Sequence, residues 1–126
     1  MRDHNKLRAF QLADDLAVAV YRLTASFPDT ERYGVTSQIR RAAVSTPSNI
    51  VEGCARWTQA DYLHFLDIAY GSSCELQYQL SLAHRLGFTE QASFQETFRL
   101  AVENSRVLGG LIRSLRHPPN VSQENL

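Results

Sequence analysis

The apolar residues of this chain recur at alternating steps of three and four, the spacing of one face of an α-helix. From about Lys6 to Phe27 they form two adjacent stripes instead of one. One stripe comprises Phe10, Ala13, Ala17, Val20, Thr24 and Phe27, and the other comprises Ala9, Leu12, Leu16, Ala19 and Leu23. The pattern predicts a first helix with more apolar width than a bundle interior covers, and the excess indicates contact with another chain.

A second helix is predicted to start between Thr30 and Thr36, with one apolar face that keeps its phase as far as Gly53. Pro47 lies inside this pattern, where it removes one backbone hydrogen bond and crowds the preceding turn. We expect one helix kinked at this proline; two shorter helices that part near Thr46 are the alternative.

Two more helices follow from their capping signals and their spacing. Thr58, with Asp61 three positions on, is typical of a helix start, and Gly87 is typical of a stop. A fourth helix is predicted to open at Thr89 and to end before Pro118-Pro119. Its core face and that of the third helix repeat the same spacing: Tyr62, Leu66, Ala69, Ser73, Leu76, Leu80 and Ala83 on the third, and Phe94, Phe98, Ala101, Ser105, Leu108, Ile112 and Leu115 on the fourth.

The sequence therefore predicts an all-α fold, an up-down-up-down antiparallel four-helix bundle over residues 1–117. Residues 118–126 are mostly polar, and we expect them to form a disordered tail. The predicted core includes Phe10, Leu16, Val20, Ile39, Ile50, Leu66, Leu76, Leu80, Phe98, Leu108 and Ile112.

Composition narrows the class of protein. The chain has 126 residues, 13 basic and 13 acidic, so its formal net charge is zero, which argues against a surface that binds phosphate throughout. Cys54 and Cys74 are far apart in sequence, and we expect both to be reduced. No apolar run approaches the roughly 18 residues of a membrane span. These features favour a cytoplasmic protein with no membrane partner.

No arrangement of residues indicates catalysis, a cofactor or a metal. The nearest match to a di-metal bundle motif is Asp61-x-x-His64, which occurs once, and His84 lies about 30 Å away along the same helix. We expect no enzymatic activity, no catalytic residue, no cofactor and no metal site.

Two groups of polar residues are candidates for binding. The first is a stripe on the second helix in which two charged residues flank short side chains, which suit close packing better than solvation. It predicts a buried polar network of Arg40, Arg41, Asn49, Glu52 and Glu75, with Glu75 contributed by the third helix. A solvated helix face is the alternative.

The second group is a line of arginines about 21 Å long on the fourth helix. Its members are Arg99, Arg106, Arg113 and Arg116, with Glu103 among them. Such a line can follow a phosphate backbone, and a solvated face is again the alternative.

The segment YGVTSQIRRAAVSTPSNIVEGCAR, followed by FLDIAYGSSCELQYQLSLAHRLG, resembles the family of four-helix-bundle proteins encoded in 23S rRNA intervening sequences. The accessory variability determinant proteins of diversity-generating retroelements look like relatives. The resemblance covers about Phe10 to Leu115. It implies a four-helix bundle that assembles into a ring-like homopentamer, and it implies nucleic-acid binding for the basic retroelement relatives. This chain departs from those relatives because it is neutral and has one lysine.

Three functions are compatible with these features. The first is a homo-oligomeric module that presents arginines to RNA or to an RNA-processing partner, which the resemblance favours. The second is a protein-only oligomeric scaffold with no nucleic-acid contact, which the net charge favours. The third is an enzyme with an unrecognised site.

Overall fold

The computed structural model describes residues 2–118 and contains four α-helices within that range. They are α1 (Arg8–Thr24), α2 (Val35–Cys54), α3 (Gln59–Arg85) and α4 (Gln91–Arg116). Short 3₁₀ helices at His4–Lys6 and Asp29–Glu31 precede α1 and α2. Each long helix packs against two others, so α1 lies diagonally opposite α3, and α2 lies diagonally opposite α4. The predicted all-α four-helix architecture is confirmed.

The helix ends depend on local hydrogen bonds. Thr58 caps α3 as predicted, since its Oγ1 accepts from the Asp61 amide at 3.1 Å. Gly87 follows the C-terminus of α3 with a left-handed φ of 82°, and the Phe88 amide donates to the Ala83 carbonyl at 3.0 Å. The predicted start of α4 at Thr89 is wrong: the Thr89 hydroxyl is hydrogen-bonded to His84 Nδ1 at 2.8 Å instead of capping the helix, and α4 begins at Gln91.

The first helix is shorter than predicted. Its first turn is replaced by the 3₁₀ helix His4–Lys6, which the Asp3 carboxylate caps by accepting from the Asn5 amide at 3.0 Å. Phe27 lies beyond the end of α1, yet it is buried in the core.

Helix α2 runs without interruption through Pro47, which is buried. The alternative of two shorter helices is therefore wrong, and the kink itself stays a prediction. Gly53 near the end of α2 lies so close to α3 that an added Cβ would meet Phe65 Cβ at 3.0 Å and the Tyr62 carbonyl oxygen at 3.2 Å. The glycine thus permits the close approach of the two helices.

The core lies in two apolar clusters, one towards each end of the bundle. The first gathers Leu16, Val20, Phe27, Ile39, Ala42, Ala43, Leu76, Leu80, Ala83 and Ala101. The second gathers Ala9, Ala13, Ile50, Cys54, Tyr62, Leu66, Ala69, Leu108 and Ile112. Nine of the eleven predicted core residues are buried, and the other two, Phe10 and Phe98, are half-buried and pack against these clusters.

Polar residues lie between the two clusters. Ser105 Oγ donates to Ser73 Oγ at 2.9 Å and accepts from Gln77 Nε2 at 2.6 Å, which ties α3 to α4. Asn104 is fully buried, and its Nδ2 donates to the Ala9 carbonyl of α1 at 3.1 Å. Because buried polar groups need their partners, these bonds favour one register of α4 against its neighbours.

The last helix ends at Arg116, close to the predicted boundary of the bundle. The predicted tail lies outside the described residues except for Pro118, which is exposed. Among residues 2–118, no helix combines the length and the apolar character needed to cross a membrane.

Candidate functional site

The predicted arginine line lies on the exposed surface of α4, where carboxylates face most of it. Arg99 Nη2 donates to Glu96 Oε1 at 2.8 Å. At the other end, the Arg116 guanidinium contacts both carboxylate oxygens of Asp67 on α3. The hydrogen bond from Arg116 lowers the pKa of the Asp67 carboxyl, so this carboxylate is charged wherever the chain is folded near neutral pH.

Glu103 neutralises the middle of the line. Its carboxylate accepts from Arg8 Nη2 of α1 at 2.5 Å and lies 3.6 Å from Arg99 Nη1 and 3.7 Å from Arg106 Nη2. Of the four predicted arginines, Arg113 alone has no carboxylate within salt-bridge distance in the described part of the chain. The line therefore presents a weaker positive field than its arginine count indicates.

The predicted polar network does not form a buried unit in the single chain. Arg41, Glu52 and Glu75 are exposed, and Arg40 and Asn49 are half-buried. Glu52 pairs with Arg56, which lies just beyond the C-terminus of α2. In the single chain most of this group points away from the bundle core, and burial of the network by a second chain stays a prediction.

Arg41 and Glu75 nevertheless line one groove between α2 and α3, with a volume of about 280 Å³. Two serines line it, Ser45 and Ser72, whose Oγ atoms are 2.8 Å apart. Asn49 Nδ2 donates to Ser45 Oγ at 3.0 Å. We call this the serine groove.

Beside the serine groove, α3 carries a glycine that the single chain does not explain. Gly71 is exposed in the middle of this 27-residue helix, and a Cβ built on it would meet no atom within 4 Å. Glycine in a helix interior costs about 1 kcal/mol relative to alanine. Gly109 on α4 differs, since its added Cβ would lie 3.3 Å from the Tyr70 ring.

The exposed apolar surface of α1 is not where the two predicted stripes placed it. Members of both stripes point inward, and Leu12, Ala19 and Leu23 are half-buried. The exposed residues are Val18, at 47%, and Tyr21, at 45%, which belong to neither stripe. Helix α1 thus has an exposed apolar ridge of Val18 and Tyr21, which the two predicted stripes did not include, and contact of α1 with another chain stays a prediction.

A second groove collects arginines and tyrosines from three segments and was missed by sequence reasoning. Its volume is about 620 Å³, and it lies between the C-terminal part of α1, the connection to α2 and the first turns of α2. We call it the arginine–tyrosine groove. Its lining residues are Tyr21, Arg32, Tyr33, Thr36, Ser37, Arg40, Arg41, Val44 and Ser45. The adjacent pair Arg40-Arg41 was the visible signal, whereas Tyr21 and Tyr33 come from separate segments.

The cysteines and histidines lie apart from both grooves. Cys54 and Cys74 are free thiols, and the first of them is buried. Burial raises the pKa of the Cys54 thiol, and burial also raises the pKa of the neighbouring Tyr62 hydroxyl to about 12. Within residues 2–118, no group of three or more His, Cys, Asp or Glu residues is arranged to hold a metal ion.

The comparisons with known proteins agree with the motifs and the bundle. The model of the 23S rRNA-intervening sequence protein family matches residues 5–110. A crystal structure from Bacteroides thetaiotaomicron, of a protein of unknown function from the S23 ribosomal protein family, is similar with a TM-score of 0.76 and 22% identity. The similarity covers 83% of this chain and 95% of that one. No curated protein matches the sequence. The chain belongs to the 23S rRNA-intervening sequence protein family.

Proposed function

We propose that this chain is a non-enzymatic, self-assembling four-helix module that presents arginines to RNA or to an RNA-processing partner in the cytoplasm. The single observation that supports self-assembly best is Gly71, exposed in mid-helix beside the serine groove with nothing near its missing side chain. The two free thiols favour the cytoplasm, where thiols stay reduced.

A glycine at this position has a physical reason if another chain covers it. Without a side chain at Gly71, a second helix can pack close to the backbone of α3, as α3 itself packs against Gly53 of α2. The same contact would bury Arg41 and Glu75, which line the neighbouring groove. A buried pair of opposite charges fixes one orientation of the two chains, because either charge left alone would be destabilising.

The outer ridge of α1 is the surface that we propose to cover this face. Val18, at 47% exposure, is the residue of this ridge that lines neither the serine groove nor the arginine–tyrosine groove. A contact between two different surfaces repeats from chain to chain and closes into a ring when the rotation allows. Five is the number of subunits that the family resemblance implies.

Light scattering on the purified chain tests this assembly. We expect a multimeric mass, with Gly71→Leu reducing it towards that of one chain while leaving the helix at least as stable, since leucine is the better helix former. The matched control is Gly110→Ala in α4, where an added Cβ lies 3.9 Å from Arg113 Nη2, an ordinary contact.

Three outcomes contradict different parts of the assembly proposal. A monomeric wild-type chain contradicts self-assembly altogether. A Gly71→Leu variant with the full mass contradicts the role of this face. A wild-type dimer or tetramer contradicts only the number five.

The RNA part of the proposal rests on the family resemblance and on the exposed arginines. We expect the wild-type chain to bind RNA with an affinity that falls steeply as salt rises, because neutralised phosphates release counterions. The second candidate is a protein-only scaffold, which the carboxylate partners along α4 favour. Absence of binding to mixed RNA and DNA at low salt would leave the scaffold as the function.

A further inference from the structure

We propose that the arginine–tyrosine groove is the site that binds single-stranded RNA, with an unpaired base stacked on Tyr33 and phosphates held by the arginines. This inference rests on the RNA part of the proposed function and assigns it a place and a ligand form. It moves the contact from the arginine line of α4 to the opposite side of α1.

The charge of the groove is uncompensated. Arg32, Arg40 and Arg41 line it, and no carboxylate is among its lining residues. None of the three forms a salt bridge within residues 2–118. The carboxylate adjacent in sequence, Glu31, accepts from the Val35 amide at 3.4 Å and so faces the start of α2. Arg41 also lines the serine groove, where the proposed assembly buries it with Glu75. An anion entering the arginine–tyrosine groove therefore meets the guanidinium groups of Arg32 and Arg40, which bind phosphate in planar, bidentate fashion.

One of these arginines is already held in place. Arg40 Nε donates to Thr24 Oγ1 at 2.8 Å, and its guanidinium lies 4.6 Å from the centre of the Tyr21 ring. Thr24 is buried and its hydroxyl also donates to the Val20 carbonyl, so the anchor belongs to the core of α1. A charged group fixed before binding loses less entropy when the ligand arrives.

Tyr33 supplies a free aromatic face. Its side chain is 88% exposed, and Arg32 lies 5.6 Å from its ring centre. A tyrosine so exposed beside an arginine is a stacking platform for a nucleobase, and stacking of this kind tolerates any base. Duplex RNA keeps its bases paired and stacked on one another, so this platform selects single strands.

The floor of the groove contains an unsatisfied hydroxyl. Thr36 is 8% exposed, and its Oγ1 has no hydrogen-bond partner in the described part of the chain. Buried polar atoms without partners are rare, so this hydroxyl would gain a partner if a ligand in the groove reached it. The groove volume of about 620 Å³ also falls within the ordinary range of ligand sites.

Fluorescence anisotropy with a short labelled single-stranded RNA and with its duplex tests the site. We expect tighter binding of the single strand. Tyr33→Ala should weaken that binding about tenfold or more, whereas Tyr33→Phe should keep it, because the phenyl ring still stacks. Arg32→Gln should weaken binding and lower the slope of log affinity against log salt by about one.

The matched control is Arg113→Gln, which removes the unpaired arginine of the α4 line and should leave the affinity unchanged. Tyr33 and Arg32 are both exposed, and circular dichroism melts of all variants check that the fold persists.

Each of the following outcomes contradicts a particular part of the RNA proposals. Wild-type binding that survives both Tyr33→Ala and Arg32→Gln overturns the groove and leaves the RNA function standing. Equal losses of RNA affinity in Arg32→Gln and Arg113→Gln also overturn the groove as the site, since RNA then responds to positive charge anywhere on the surface. A chain that binds no RNA overturns both proposals. Binding of polyglutamate with no RNA binding assigns the groove to an acidic protein partner and overturns the RNA site.

Discussion

The two faces of α3 differ in how far a single chain accounts for them. The inner face carries seven buried residues at steps of three and four, and each packs in the bundle. The outer face, from Asp67 to Tyr78, carries an exposed glycine, cysteine, glutamate and tyrosine in an equally regular helix. The inner face is explained by folding alone. The outer face includes Gly71, which folding alone disfavours, so its residues point to contacts beyond the chain.

The largest expected effect lies on the inner face. Leu76 and Leu80 are fully buried, and truncation of either to alanine should cost roughly 2–5 kcal/mol of unfolding free energy. Urea denaturation measures this loss, and Tyr78→Ala on the outer face, at 61% exposure, is the control with a small effect. A loss of unfolding free energy below about 0.5 kcal/mol at both leucines would contradict the assignment of the inner face.

The next largest effects are expected from substitution of two glycines, one packed between helices and one exposed. Gly53→Ala should lower the unfolding free energy by about 1–3 kcal/mol, because the new methyl group would press on Phe65 and on the Tyr62 carbonyl, neither of which can turn aside. Gly71→Ala should instead stabilise the dissociated chain by up to about 1 kcal/mol. Thermal unfolding at low protein concentration compares the two variants. Equal destabilisation by both would show that Gly71 is packed within the single chain.

The charged pair Arg41–Glu75, beside Gly71, tests whether assembly buries the outer face of α3. In the dissociated chain, Arg41 and Glu75 are exposed, so their coupling should stay below about 1 kcal/mol. In the assembled protein, removal of either charge should destabilise more than removal of both. A double-mutant cycle with Arg41→Met and Glu75→Gln, measured at high and low protein concentration, gives both values. Absence of coupling at high concentration contradicts burial of this pair.

The smallest effect is expected at Asp67, which pairs with Arg116 on the outer surface. Because Arg116 lowers its pKa, the folded chain gains stability from this carboxylate above the unfolded value of about 4 and loses it as pH falls through the lowered folded value. Both side chains are more than two-fifths exposed, so Asp67→Asn should cost less than about 1 kcal/mol at pH 7. Denaturation midpoints at pH 7 and pH 3 measure it, and the variant should show the smaller change between the two. An undiminished change would assign the acid sensitivity to other carboxylates.

Local patterns predicted the inner face of α3 completely, and they placed most of the core. They failed where a contact with a residue outside the local pattern determined the structure. Thr89 bonds to His84 and leaves α4 without the predicted cap. On α1, members of both predicted stripes point inward, and the exposed residues Val18 and Tyr21 belong to neither stripe.

The binding surfaces were harder to predict because charge compensation acts over long sequence distances. Asp67 lies 49 residues from Arg116, and Glu103 lies 95 residues from Arg8, so the sequence of α4 shows its arginines without their full set of partners. The arginine–tyrosine groove depends on a contact between α1 and α2, as in the approach of Arg40 to Thr24. The motif that identified the family contains Tyr33 and two of the arginines of this groove, but not Tyr21 of α1.

The first residues of the described chain brace the turn between α2 and α3. The Arg2 amide donates to the Cys54 carbonyl at 3.1 Å, its guanidinium donates to Gln59 at 2.7 Å, and the same guanidinium lies 3.9 Å from the centre of the Tyr62 ring. A protease must unfold a segment before it can cleave within it. The contacts of Arg2 restrain the turn that contains Arg56, so we expect loss of Arg2 to speed trypsin cleavage after Arg56, more than fifty positions away in the sequence.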